Sequence, residues 1–63
     1  MLTEKEIEVI TLKKKGMTQI EISKKMKISQ PAVSHFYSSA VKKIKESQEI
    51  LDIAKKLGVS KNE

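Results

Sequence analysis

Gly16-Met17-Thr18-Gln19-Ile20-Glu21-Ile22-Ser23-Lys24-Lys25-Met26-Lys27-Ile28-Ser29-Gln30-Pro31-Ala32-Val33-Ser34-His35 carries two helix-start signals with one short connection between them. Thr18 is placed to cap a helix by accepting a free backbone N–H. Glu21, three residues on, is placed to reach back, which is the reciprocal capping-box arrangement. Ser29 repeats the cap. Pro31 falls two residues later, in the first turn, where its missing N–H costs nothing because the helix would not use it. The residues between Met26 and Ser29 leave room only for a tight turn, so the two helices must meet steeply and share one small core. That is the geometry of a helix-turn-helix.

With 63 residues the chain is one domain at most, and a domain this small buries only about 60% of the surface its unfolded chain exposes. It contains no cysteine and a single histidine, so neither a disulfide nor a structural zinc site is expected to staple it, and no cofactor is implied. Helix packing or a partner subunit must supply the stability. Its apolar runs fall far short of the roughly 20 residues that span a bilayer, and the N-terminus lacks a signal-peptide pattern. The expectation is a soluble, cytoplasmic, nucleoid-associated protein.

The formal charge is +5, from 13 basic and 8 acidic residues, and the pI is about 9.6, a balance that favours a polyanionic partner. Every basic residue is lysine. The bidentate arginine-to-guanine contact is therefore absent, although lysine still reaches guanine O6 and N7 and binds phosphate as a point charge. With only Phe36 and Tyr37 as aromatics, a single-strand binder that stacks bases on aromatic platforms is disfavoured.

Outward from the central stretch, a first helix is expected from about residue 3 to 15. Thr3 and Glu6 form a second capping box, Lys13, Lys14 and Lys15 answer the dipole at its far end, and Gly16 stops it. Leu2, Val9, Ile10 and Met17 are its expected inward residues, flanked by Ile7 and Leu12. The second helix, about 18 to 26, turns Ile22 and Met26 inward with Ile20 alongside, and Ile28 closes the turn. After Pro31 no glycine or proline occurs until Gly58. Val33, Tyr37, Ala40, Ile44, Ser47, Leu51 and Ala54 recur at alternating spacings of four and three, a sustained helical stripe. The third helix, about 30 to 45, therefore either runs unbroken to about residue 57, which the missing breakers favour, or breaks near Glu46-Ser47-Gln48 into a fourth helix. The fold class is all-α, with residues 1–45 as a helix-turn-helix domain, 46–58 as a dimerisation helix and 59–63 as a frayed tail.

Leu2-Thr3 with Glu6, Glu8-Val9-Ile10, Gly16-Met17-Thr18, Glu21-Ile22, Met26, Ile28-Ser29 and Val33 resemble the LuxR-type and sigma-factor region-four helix-turn-helix families. The unbroken extension after Val33 departs from the LuxR pattern, in which a loop precedes a fourth helix, and is closer to archaeal Tfx-type DNA-binding transcription regulators. The resemblance implies that the third helix reads bases and that the start of the second touches phosphates.

Taking Val33 as inward and stepping roughly 100° per residue puts Phe36, Tyr37, Ala40 and Ile44 on the buried side. Pro31, Ser34, His35, Ser38 and Lys42 lie opposite. That outward strip is small and polar, as a helix in a groove about 12 Å wide must be. Gln30, Pro31, Ser34, His35 and Ser38 are the candidates for base contact. Phosphate contacts fall to Thr18 and Gln19 at a helix N-terminus and to Lys24, Lys25, Lys27 and Lys42. Ile50, Leu51, Ile53, Ala54 and Leu57 would be an exposed apolar patch on a monomer and are the candidate dimer interface. These residues describe a sequence-specific regulator of double-stranded DNA acting as a homodimer, with half-sites about 34 Å apart. A protein-docking module of the transcription machinery and a sequence-blind DNA-compaction protein are the alternatives. No nucleophile–base pair or metal cluster suggests an enzyme.

Overall fold

Each helix begins at a hydroxyl. In the computed structural model, which describes residues 1–58, Thr3, Thr18 and Ser29 are the N-caps of α1 (Glu4–Lys14), α2 (Gln19–Met26) and α3 (Gln30–Lys56). Thr3 and Thr18 each accept from the N–H of a glutamate three residues on, at 3.2 Å, and each glutamate carboxylate returns to the threonine N–H at 2.8 Å. Both capping boxes are complete. Ser29 accepts from the Ala32 N–H at 3.1 Å, with Pro31 beside it in the first turn. The described residues contain no strand, and no helix among them is long and apolar enough to cross a membrane. The tail expected at 59–63 lies outside the described residues.

A left-handed residue follows each helix: Gly16, Lys27 and Gly58. Gly16 has φ 93°, and the Met17 N–H beyond it donates to the Leu12 carbonyl at 3.2 Å. Lys27 plays the same part after α2 with φ 57°, and the Ile28 N–H donates to the Ser23 carbonyl at 3.0 Å. Only glycine adopts this conformation without strain. No residue pattern around position 27 marks a lysine out for it.

Val9, Leu12, Ile22 and Val33 form the buried cluster, with Met17, Met26, Ile28 and Phe36 packed around it. Ala40 is also fully buried. Four expected positions differ. Leu12, expected at the flank of α1, is buried, whereas Ile10, expected inside, is only half-buried. The inward line of α1 runs through Glu6, Val9 and Leu12, because one face of α1 meets both other helices. Tyr37 and Ile44, placed on the buried side by the wheel, are 39% and 46% exposed. The Lys13 ammonium lies 5.6 Å from the Tyr37 ring centroid, and Ile44 lines an open notch with Met1 and Leu2.

The third helix is unbroken from Gln30 to Lys56. Its length makes the molecule a rod, 45 Å by 18 Å by 17 Å, because α1 and α2 cover only its first half.

One buried charge locks α1 to α3. Glu6 is 3% exposed, and its carboxylate accepts from the Thr3 N–H, the Ser39 hydroxyl and the Lys43 ammonium, the last at 2.9 Å. Lys43 also donates to the Met1 carbonyl at 3.2 Å. These donors, Ser39 first, then the Thr3 backbone and then Lys43, hold the Glu6 carboxyl at about 2 against an ordinary 4.5. The Thr18 N–H lowers Glu21 in the same way.

Depressed carboxyl pKa values stabilise the fold above the ordinary value and lose that contribution as pH falls through the folded value. Thermal stability should therefore fall between about pH 4.5 and 2. Glu6→Gln should be less stable than wild type at pH 6 and should lose less on acidification; parallel melting-temperature curves would contradict this. Lys27→Gly should raise stability by about 0.5–1 kcal/mol by relieving the left-handed lysine. Ile22→Ala should cost about 2–5 kcal/mol, comparable to the whole stability of so small a chain, and leave it largely unfolded by circular dichroism.

Candidate nucleic-acid interface

The turn Lys27-Ile28-Ser29 sets the start of α3 beside the start of α2. Ile28 packs on the core cluster, and Ser29 immediately opens the next helix, so the connection has no freedom to splay. Gln30, Pro31, Ser34, His35, Ser38 and Lys42 are all exposed, along one side of the first half of α3. Val33 and Ala40 on the other side are buried. The strip is free of large aliphatic side chains.

Gln19 ties the two helices together. Its amide nitrogen donates to the Gln30 carbonyl and to the Ser34 hydroxyl, each at 2.8 Å. The side chain expected to touch phosphate is thus engaged across the turn, and what α2 offers an anion is its N-terminal backbone and dipole. Ser34 still has its own hydroxyl hydrogen to donate. No local pattern predicts this bridge, because its partners lie 11 and 15 residues from Gln19.

Around this bridge the remaining candidates divide by position. Thr18 is exposed and its side-chain oxygen is committed to the Glu21 N–H. Lys24, Lys25 and Lys27 are exposed at the far end of α2. His35 lies beside Phe36, ring centroids 5.9 Å apart and edge to face. Lys13 is added to the α3 flank by its position over Tyr37. Ile50, Leu51, Ile53 and Leu57 are exposed and Ala54 is half-buried, all beyond the reach of α1 and α2.

Replacing Gln19 by glutamate removes the donor at the bridge and sets a carboxylate against the Gln30 carbonyl. Duplex affinity should drop by about tenfold or more, while the melting temperature moves little, because one exposed hydrogen-bonded side chain contributes only about 1 kcal/mol. Fluorescence anisotropy and a thermal melt on the same variant check this; unchanged affinity would show that the bridge does not position α3.

The arrangement resembles known proteins at the level of family. The family model GerE, bacterial regulatory proteins of the luxR family, matches residues 1–50. No curated protein and no solved structure matches the chain. The match takes in all three capped starts, the turn and the whole exposed strip of α3. The chain therefore belongs to the luxR family of bacterial regulatory proteins, whose helix-turn-helix domains are DNA-binding transcription regulators.

Proposed function

We propose that the chain is a sequence-specific regulator that binds duplex DNA as a homodimer, with the first half of α3 in the major groove. The observation that carries this is the bare polar strip of Gln30, Pro31, Ser34, His35 and Ser38, tied to the start of α2 by Gln19. Gln30 presents an amide suited to adenine N6 and N7, and Ser34 and His35 follow one turn later. Thr18 and Gln19 at the α2 N-terminus, with Lys24, Lys25, Lys27 and Lys42, supply the phosphate contacts. A cytoplasmic, nucleoid-associated location goes with that role. The unbroken α3 supports a Tfx-type organisation over a LuxR domain with a separate fourth helix.

Dimerisation through residues 46–58 is supported by surface and shape. The chain exposes 5232 Å², about 1,000 Å² more than a compact protein of its mass, and one partner in a standard interface buries about 800 Å². Its radius of gyration is 14.9 Å, against about 10.6 Å for a compact domain of this length. Ile50, Leu51, Ile53 and Leu57, 46–72% exposed, with Ala54, are the apolar surface available to close that gap.

An anisotropy titration against duplex DNA across salt concentrations tests the proposal. Affinity should fall linearly on logarithmic axes, with a slope of roughly −0.9 per phosphate neutralised. The double substitution Ser34→Glu with His35→Glu should abolish binding without unfolding the protein, because both residues are exposed. Binding that survives the double substitution would defeat the proposal, and equal affinity for selected and random duplexes would defeat its sequence specificity.

A further inference from the structure

The two working faces of α3 point in opposite directions. Val33 and Ala40 are buried, Phe36 packs on the core and Lys43 reaches Glu6, so these four mark the side of α3 that meets α1 and α2. At roughly 100° per residue, Ser47, Ile50, Leu51 and Ala54 fall within roughly 60° of that direction. Pro31, Ser34, Ser38 and Lys42 lie roughly 140° or more from it. Ser47, Ile50, Leu51 and Ala54 therefore continue the core side, with Leu57 and Ile53 turned roughly 80° and 120° off it, while the recognition strip, whose margins Gln30 and His35 stand roughly 100° and 120° from it, is centred on the opposite side.

This restricts how a second copy can pair. In a parallel arrangement the second α3 would run at the level of the α1–α2 body and on the same side, through space already filled by Glu6, Val9 and Leu12. The body ends near Ser47, where Met1 and Leu2 line a notch with Lys43, Ile44, Ser47 and Gln48. Beyond it the stripe is uncovered. An antiparallel partner occupies only this uncovered stretch, and its own C-terminal end stops against Met1 and Leu2.

We propose that the chain forms an antiparallel dimer across Ile50 to Leu57 whose recognition faces point away from each other, so that one dimer holds two separate duplex segments. The proposal rests on α3 being the recognition helix and its C-terminal stripe the dimer interface. Ser34 stands about 18 residues from the middle of the overlap, or ~27 Å, which puts the two recognition segments roughly 50 Å apart on opposite sides of the assembly. Half-sites ~34 Å apart on one duplex, as expected from the sequence, need both faces on the same side. A duplex of a few turns cannot wrap round to meet both, since its persistence length is about 150 base pairs.

The test measures what one dimer carries. Sedimentation of the protein with a duplex of about 16 base pairs, roughly one and a half turns, should give a complex of two chains and two duplexes. Protein on an immobilised duplex should also capture a second, fluorescent duplex. Ile50→Gln with Leu57→Gln alters two exposed residues, leaves the charge unchanged and preserves the core; this variant should stay helical, bind one duplex per chain and capture none. A two-chain complex holding a single duplex of about 40 base pairs, with no capture of a second, would overturn the opposed-face dimer while leaving DNA binding by α3 intact. A wild-type protein that sediments as a monomer overturns the dimer and the bridge together. Absence of any duplex binding at low salt overturns the assignment of α3 itself.

Discussion

Four side chains, Val9, Leu12, Ile22 and Val33, are the buried centre on which three helices converge, and everything else in the molecule is arranged around how little that is. So small a core contributes only a few kcal/mol beyond the cost of ordering the chain. Local devices make up the difference. Three hydroxyl caps start the three helices and two of them are full capping boxes, each cap contributing about 1 kcal/mol. The remaining consequence is economy of elements: α3 serves as the third wall of the core, as the polar strip facing outward and, in its second half, as an apolar stripe that α1 and α2 do not reach.

The buried carboxylate of Glu6 decides where along α3 the body sits. A charge with 3% exposure is tolerable only when its oxygens are fully partnered, and removing one partner leaves an uncompensated charge. Its donors come from the start of α1 and from Ser39 and Lys43, about one turn apart on α3. Sliding α1 along α3 by a turn would strand the carboxylate. Apolar contacts alone would resist such a slip less, because a methyl group packs acceptably against many neighbours. This register also fixes Met1 and Leu2 beside Ile44 and Ser47, and so fixes where the uncovered stripe begins.

The same three helices explain which features were readable in advance. Caps, the Gly16 stop, the Pro31 position and the inward placement of Val9, Ile22 and Val33 follow from signals spanning four residues or fewer, and the structure has all of them. The exposed strip from Gln30 to Lys42 is equally a matter of helical period once Val33 is known to point inward. Leu12 and Ile10 exchanged roles because two helices contact α1, and the direction of their combined surface is not written in the α1 sequence. Tyr37 and Ile44 had the right period but lay past the edge of what α1 covers.

The features legible in the residues alone are therefore local: three capped helices, a turn too short to splay, one face of each helix suited to a core, and a lysine-only positive charge. Tertiary structure alone decided the Gln19 bridge to Gln30 and Ser34 and the Glu6 contact with Ser39 and Lys43. Those contacts join residues 11 to 37 positions apart. Periodicity fixes the angle between side chains on one helix, but which direction is covered, and for how far, depends on where the other two helices come to rest.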